Sequence, residues 1–195
     1  MPSKKKNKLL IICVCGLAGS GKSTAAKKLA RKYRFRYYSG GDALKALALE
    51  EGYRPKKRGW WESPEGLRFL EKRSKDQKFD HEIDRKLLEV AKEGNVVLDS
   101  WTMPWLLKDG FKIWLEAAVE ERAARLARRD GTDYDEALTA LRRKEEQTKT
   151  IYEKLYGFSL GEDFAPFQFI LDTNNLSSYE VFQVLCHVTD SVILA

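Results

Sequence analysis

Short apolar runs alternate with longer amphipathic segments along this chain. We expect strands at 8–15, 36–38, 95–99, 112–115 and 168–172, of which the first is apolar almost throughout. Such a strand is typical of a parallel sheet that is covered on both faces. Helices are predicted at 22–33, 43–52, from 63 onward, and at 80–92, 117–129, 134–156 and 176–189, with a short helix or turn at 103–108. This order predicts an α/β fold with a five-stranded parallel sheet and helices on both faces.

The first predicted strand runs directly into Gly16-Leu-Ala-Gly-Ser-Gly-Lys-Ser23, which matches the P-loop pattern G-x-x-x-x-G-K-[ST]. Its glycines let backbone N–H groups point into one anion-binding hollow, and the N-terminus of the next helix adds more. Lys22 would reach the β- and γ-phosphates, and the Ser23 hydroxyl would ligate Mg²⁺. We therefore predict the three-layer P-loop NTPase fold and an ATP·Mg²⁺ site. Its expected residues are Gly16, Gly19, Ser20, Gly21, Lys22, Ser23 and Thr24.

Two aspartates follow other predicted strands, and ligands in this fold class bind at the carboxyl ends of strands. Asp42 comes after the second strand and Asp99 ends the third. One of them would hold Mg²⁺-bound water, and the other would orient the acceptor or act as a general base. Asp42 could alternatively only cap a helix that starts at Ala43. We predict catalytic roles for both.

Composition and charge are those of an ordinary water-soluble domain. The 195 residues are 43% hydrophobic and 33% charged, and the net charge is +6, which suits a phosphate-handling enzyme and also permits contact with nucleic acid. No apolar run approaches the roughly 20 residues of a membrane helix. The basic N-terminus is followed by an apolar segment that runs straight into the P-loop. Cleavage of that segment as a signal peptide would destroy the nucleotide site, so we expect a cytoplasmic protein. We also expect one domain over 1–195, a monomer without membrane contact, and buried reduced thiols at Cys13, Cys15 and Cys186.

Two basic segments are further candidates for binding phosphate. Arg122, Arg125 and Arg129 share one helix face with Arg128 beside it, and at least two of the four would bracket the transferred phosphate. The alternative is a solvated face paired with nearby glutamates. Tyr53 to Trp61, YRPKKRGWW, interleaves basic and aromatic residues, a pattern that can hold a phosphate backbone while bases stack on the rings. Trp101 and Trp105 are expected near the mouth of the same cleft.

From Leu9 to about Val188 the chain resembles the archaeal-type cytidylate kinases of the nucleoside monophosphate kinase group. The resemblance rests on the P-loop, on FDHEIDR (79–85) followed by EVAKEGNVVLD (89–99), and on KIWLEA, ARRDG and YEKLYG further on. It implies transfer of the γ-phosphate of ATP to CMP or dCMP. It also implies that Asp80 and Asp84 contact the acceptor, that Arg125 and Arg129 are lid arginines, and that 172–174 lies near adenine. The implied regions are a core (8–38, 94–120, 157–192), an acceptor-binding region (39–93) and a lid (121–148).

Several arginines that the family pattern places around the acceptor's phosphate are replaced in this chain. Lys45 stands after the second strand, Asp99-Ser-Trp101 replaces E-G-R, and the late lid helix carries Lys144, Thr148 and Ile151. A lysine supplies charge without the bidentate fork of arginine. The predicted acceptor-binding residues are therefore Lys45, Trp60, Asp80, Asp84 and Trp101.

Three functional hypotheses follow from these residues. The first is a nucleotide kinase that uses ATP and Mg²⁺ and a CMP-like or dCMP-like acceptor. The second keeps the ATP site but phosphorylates a hydroxyl of a nucleoside or of RNA, with Asp42 or Asp99 as the base. The third is an ATP-dependent switch that binds RNA or a protein partner.

Overall fold

The computed structural model describes residues 10–56 and 59–194. The strands are β1 (Ile11–Cys15), β2 (Arg36–Ser39), β3 (Val96–Asp99), β4 (Phe111–Glu116) and β5 (Phe169–Asp172). These five strands form one parallel sheet in the order β2-β3-β1-β4-β5. The helices are α1 (Lys22–Tyr33), α2 (Gly40–Glu50), α3 (Pro64–Lys75), α4 (Lys78–Lys92), α5 (Met103–Leu106), α6 (Val119–Asp130), α7 (Tyr134–Tyr156) and α8 (Ser178–Leu194). The predicted five-stranded parallel sheet is thereby confirmed.

Alternate residues of β1 face the two layers of helices, as expected for a central parallel strand. Ile12 and Val14 pack with α1 and α8, whereas Cys13 packs with α2 and α4. The three cysteines are free and buried, as predicted. β1 lies in the middle of the sheet, so the loop that follows it emerges at the centre of the carboxyl edge.

Element boundaries differ from the predictions mainly at helix ends. α2 begins at Gly40 rather than Ala43, because the Ser39 hydroxyl caps it by accepting a hydrogen bond from the Asp42 backbone N–H over 3.2 Å. α8 continues to Leu194. The first two residues of the predicted strand 8–15, the basic N-terminus before them, and Lys57 and Arg58 of the YRPKKRGWW segment lie outside the described residues.

The predicted lid segment 121–148 falls within α6 and α7, which pack on each other, and α7 also packs against α3. α7 therefore connects the end of α6 with α3, which lies in the predicted acceptor-binding region. None of the helices in the described ranges is long and apolar enough to cross a membrane.

Candidate active site

The P-loop connects the carboxyl end of β1 to the N-terminus of α1. Gly16 and Gly19 have positive φ angles, and a Cβ at either residue would lie under 3 Å from a backbone oxygen, at 2.5 Å from that of Leu115 and 2.7 Å from that of Arg122. α1 has Gly21 at its N-cap and no side-chain cap. Its first N–H groups therefore suit an anion in the hollow.

Side chains from two other elements hold this loop in place. The Trp101 indole Nε1–H donates to the carbonyl oxygen of Gly16 over 2.6 Å, and Arg122 Nη1 donates to that of Ala18 over 3.1 Å. Arg122 and Glu145 are both buried and form a two-pronged ion pair. Arg122 thus supports the backbone of the P-loop from beneath, so its guanidinium does not enter the cleft.

One cavity of about 710 Å³ extends from the P-loop to residues of segment 39–93, the predicted acceptor-binding region. It is lined by most of the residues that the sequence singled out: Gly19, Gly21, Lys22, Ser23, Thr24, Asp42, Lys45, Asp80, Asp84, Asp99, Trp101, Arg125 and Arg129. Ser20 lies beneath the loop with 2% of its surface exposed, and its Oγ has no partner within the described residues.

Asp42 and Asp99 reach the cavity from neighbouring strand ends. Asp99 is buried and accepts a hydrogen bond from the Tyr37 hydroxyl over 3.0 Å. Burial and the charge of Asp99 raise the pKa of the Tyr37 phenol, which keeps it protonated as a donor. Asp42 lies in the first turn of α2, and because Ser39 caps that helix, the capping alternative for Asp42 is wrong.

The first predicted acceptor carboxylate, Asp80, is locked into an ion pair. Arg73 Nε donates to Asp80 Oδ2 over 2.8 Å, and a second guanidinium nitrogen donates to the other carboxylate oxygen. The same guanidinium donates to the Tyr152 hydroxyl over 2.9 Å. All three residues line the cavity and are buried. The two parallel hydrogen bonds fix the orientation of the Asp80 carboxylate and the Arg73 guanidinium at this end of the cavity.

The second predicted acceptor carboxylate, Asp84, accepts two hydroxyl hydrogen bonds. Thr102 Oγ1 donates to Oδ1 over 2.6 Å, and the Tyr156 hydroxyl donates to Oδ2. Burial raises the pKa of the Asp84 carboxyl, although both hydrogen bonds oppose that shift. Asp80 and Asp84 therefore have different environments, one beside a guanidinium and the other among neutral donors.

The middle of the cavity contains two lysines. Lys144 Nζ donates to Glu62 Oε1 over 2.7 Å, and it lies 5.7 Å from the centre of the Trp61 ring and 5.8 Å from that of Trp101. Burial lowers the pKa of Lys144. Lys45 Nζ donates to the backbone oxygen of Lys56 over 3.1 Å, and burial lowers its pKa as well.

Two of the four basic residues of α6, Arg125 and Arg129, line the cavity. Arg125 donates to the carbonyl oxygen of Thr173 over 2.6 Å and to that of Asn174 over 3.3 Å, which holds it at the 173–174 turn. Arg129 forms a two-pronged pair with Asp130.

The aromatic part of the YRPKKRGWW hypothesis needs correction. Trp60, predicted to bind the acceptor, is 1% exposed, packs against Phe69 and donates from its indole to Glu65 over 2.9 Å. Its ring is part of the core and cannot stack on a ligand, whereas the adjacent Trp61 lines the cavity. Trp105 also packs away from the cavity's described lining, stacked on Phe158 at 3.8 Å.

Sequence reasoning missed Arg73, Tyr152 and Glu62, all of which line the cavity. Glu62 and Arg73 lie in none of the quoted motifs, and the segment YEKLYG contains Tyr152 but gives no sign of its partner Arg73 on another helix. Among residues 10–56 and 59–194, no cluster of three or more His, Cys, Asp or Glu residues could hold a metal ion by itself.

Comparison with known proteins identifies the family of this chain. The model of the cytidylate kinase-like family matches residues 11–175. The chain belongs to the cytidylate kinase-like family. This confirms the resemblance seen in the sequence.

Relatives in this family span nearly the whole chain. A cytidylate kinase of Pyrococcus horikoshii is 33% identical over 187 residues, which cover 95% of this chain and 88% of that protein. One of Methanocaldococcus jannaschii is 32% identical, with coverage of 94% and 99%. One of Ignicoccus hospitalis is 38% identical over 154 residues, with coverage of 78% and 83%.

Solved structures support the P-loop kinase fold. Shikimate kinase from Bacteroides thetaiotaomicron is similar with a TM-score of 0.56 at 18% identity, over 93% of this chain and 99% of that one. A protein from Eubacterium ventriosum gives a TM-score of 0.60 at 16% identity, over 93% and 99%. At this identity the likeness concerns the fold alone.

Proposed function

We propose that this chain transfers the γ-phosphate of ATP to the phosphate of a cytidylate-like nucleotide, CMP or dCMP. One observation carries the proposal: a single cavity is lined at one end by the P-loop and at the other by Asp80 and Asp84. Donor and acceptor can therefore meet in one enclosed space. Relatives with about a third identical residues are named cytidylate kinases.

The donor end fits a triphosphate. The uncapped N-terminus of α1, the hollow of the P-loop and the Lys22 ammonium together supply N–H donors and positive charge. Lys22 Nζ lies 5.2 Å from the centre of the Trp101 ring, which keeps the ammonium at the junction of the two ends. The adenine would lie near the turn 172–174, which Arg125 holds.

Mg²⁺ suits the residues that line this end. The Ser23 hydroxyl can ligate it directly, and Asp42 and Asp99 can hold its water molecules, since Mg²⁺ usually takes few protein ligands beside substrate phosphates. When bound, the ion neutralises charge on the phosphates during transfer.

In the transfer itself an oxygen of the acceptor's phosphate forms a bond to the γ-phosphorus, and the bond from the γ-phosphorus to the bridging oxygen breaks. ADP leaves with that oxygen. The acceptor phosphate is already an anion near neutral pH, so no general base is required. Lys22 and Arg129 line the region where charge spreads over the transferred group, and they would stabilise it electrostatically.

Asp80 and Asp84 would recognise the acceptor's base and sugar. The Asp84 carboxyl, with its raised pKa, offers acceptor oxygens to an exocyclic amino group and carries a proton more readily than an ordinary aspartate. The fixed orientation of Asp80, held by Arg73, limits the positions that a ring can take.

The test is a panel of acceptors with ³²P-labelled ATP and Mg²⁺: the nucleoside monophosphates, the nucleosides and short RNAs. We expect rapid label transfer to CMP or dCMP and slow transfer to the purine nucleotides. Absence of transfer to any nucleoside monophosphate, with transfer to another acceptor, would reject the proposal.

A second candidate is transfer to a hydroxyl. It is favoured because the arginines in the described lining of the cavity already bind other protein groups. In the described lining, Arg73 pairs with Asp80, Arg129 pairs with Asp130, and Arg125 bonds to backbone carbonyls. A nucleoside needs no guanidinium, and the buried Asp99 could accept its proton. The nucleosides in the panel test this candidate. The short RNAs test the RNA acceptor, which is less favoured because the buried Trp60 ring cannot stack on a base.

The same panel tests the switch hypothesis. ATP hydrolysis that RNA stimulates, without transfer of the label to any acceptor, would support it.

A further inference from the structure

The carboxylate of Glu62 lies inside the cavity between two cations. Its distance to Lys144 Nζ is 2.7 Å. Its distance to Arg129 Nη2 is 3.7 Å, and that nitrogen also pairs with Asp130 over 2.6 Å. The Glu62 side chain is 13% exposed and that of Lys144 is 8% exposed, so water screens this attraction only weakly. Burial alone would raise the pKa of Glu62, but Lys144 and Arg129 outweigh it and hold the pKa below its ordinary value. Glu62 is therefore an anion at neutral pH.

The three charged groups come from separate elements. Glu62 directly precedes Ser63, the N-cap of α3, whereas Arg129 is near the end of α6 and Lys144 is in the middle of α7. A Cβ on Gly59 would lie 3.3 Å from Asp130 Cγ, so segment 59–62 packs closely on the end of α6. This carboxylate thereby ties the acceptor-binding region to the lid region.

The surroundings of Lys144 suit a larger anion than a carboxylate. Thr148 lies one turn further along α7 and lines the same cavity. It is 0% exposed, and its Oγ1 has no hydrogen-bond partner within the described residues. An ammonium, a guanidinium and an unpartnered hydroxyl can together serve several oxygens of a tetrahedral phosphate, whereas a carboxylate offers only two.

We propose that Glu62 is a built-in competitor that occupies an oxyanion subsite of Lys144, Arg129 and Thr148, and that the acceptor's phosphate displaces it. The identity of the displacing anion as the acceptor's phosphate rests on the proposed function; the competition itself does not. A neutral nucleoside cannot replace a charge that is paired with two cations, so the subsite selects phosphorylated acceptors. Displacement also releases segment 59–62 from α6 and α7.

The first experiment measures anion binding without ATP by isothermal titration calorimetry. The probes are inorganic phosphate, CMP and cytidine. The proteins are the wild type, Glu62→Gln, Lys144→Met and the variant that carries both substitutions. Glu62→Gln keeps an oxygen that accepts from Lys144 but removes the competing charge. We expect it to tighten phosphate and CMP binding by at least about fivefold and to leave cytidine unchanged. Lys144→Met should weaken both anions, and Glu62→Gln should have no effect in that background.

Glu162→Gln is the matched control, because Glu162 pairs with the exposed Lys149 over 2.8 Å. It should bind every probe like the wild type. Phosphate binding by Glu62→Gln that equals or falls below that of the wild type would overturn the proposal. So would equal tightening in Glu162→Gln.

A second measurement on the wild-type chain remains decisive if Glu62→Gln fails to fold. Hydrogen exchange of backbone amides 59–62 should become faster when phosphate saturates the protein, since the segment loses its tie to Lys144. Unchanged or slower exchange would overturn the proposal. The two proposals are separable: tighter phosphate binding by Glu62→Gln without label transfer to CMP would support the competitor and reject only the nucleotide kinase activity.

Discussion

The indole N–H of Trp101 donates a 2.6 Å hydrogen bond to the carbonyl oxygen of Gly16, the first residue of the P-loop. The same ring lies 5.2 Å from the Lys22 ammonium and 5.8 Å from that of Lys144. A single side chain after β3 therefore contacts the P-loop backbone, Lys22 beside the P-loop and Lys144 in the middle of the cavity. The indole holds the P-loop in place, and the ring lines the cavity.

Trp101→Phe should weaken ATP binding. Phenylalanine keeps an aromatic face for the lysines but cannot donate to Gly16, and a lost hydrogen bond of about 1 kcal/mol corresponds to roughly a fivefold rise in the dissociation constant. Equilibrium titration with ATP measures it. Trp105→Phe is the control, because Trp105 donates to Asp163 over 2.7 Å at a site that the P-loop does not share. Equal losses in both variants would contradict a specific role for Trp101.

Lys22→Ala should abolish phosphoryl transfer while the chain remains folded. Lys22 lines the cavity beside Ser23, where the charge of the β- and γ-phosphates would lie. Labelled-ATP assays measure the loss, and circular dichroism checks the fold. Lys28→Ala serves as the comparison, because Lys28 is on the same helix but bonds to Ser178. Full activity in Lys22→Ala would refute both kinase hypotheses.

Breaking the buried pair of Arg122 and Glu145 should destabilise the fold and the P-loop together. Arg122→Met leaves the Glu145 carboxylate buried without its partner, which typically costs about 3–5 kcal/mol. Urea unfolding gives the change in free energy. Arg143→Met, which removes the exposed partner of Glu71, should change it by less than about 1 kcal/mol. Similar midpoints for the two variants would show that the buried pair is not a stabilising anchor.

Asp84 should make the stability of the chain depend on pH in a defined direction. Burial raises its pKa, so folding favours the protonated form, and this contribution is present at low pH and lost as the pH rises through the folded pKa. The unfolding free energy of the wild type minus that of Asp84→Asn should fall as the pH rises above the unfolded pKa of about 4, by at most about 1.4 kcal/mol per pH unit.

Urea unfolding at a series of pH values measures this difference, and Glu62→Gln provides a comparison of opposite sign. Cations hold the pKa of Glu62 low, so its contribution is present above the unfolded pKa and lost as the pH falls through the folded one. Parallel pH trends in the two variants would contradict the assigned environments.

The P-loop was predictable from the sequence because its residues are consecutive in the chain. The P-loop requires glycines, a lysine and a hydroxyl at fixed spacing between a strand and a helix, and residues 16–23 supply all of them. Apolar runs at strand length likewise predicted the sheet, and the ends of its strands placed Asp42 and Asp99 in one cleft.

The lining of the rest of the cavity was not predictable in the same way, because it depends on contacts between segments that are far apart in the chain. Trp60 and Trp61 are neighbours of the same type, yet one is buried in the core and the other lines the cavity. Nothing local distinguishes them, because the packing of α3 and α7 decides which ring faces which way. The same holds for Arg122. Its position on the face shared with Arg125 and Arg129 made it a candidate for binding the transferred phosphate, but its buried pairing with Glu145 makes it a support of the P-loop.

The sequence by itself determined the fold class and the P-loop, which follow from hydrophobic periodicity and local spacing. It also pointed to the family, through the resemblance of several segments to known members. Only the tertiary structure decided which charged side chains form ion pairs with each other. Lys144 meets Glu62 although 82 positions separate them, and Arg73 on α3 meets Asp80 on α4. Such pairs form where separate elements bury charged side chains next to each other. Because an unpaired buried charge is costly, the fold brings each buried charge into contact with a partner of opposite sign.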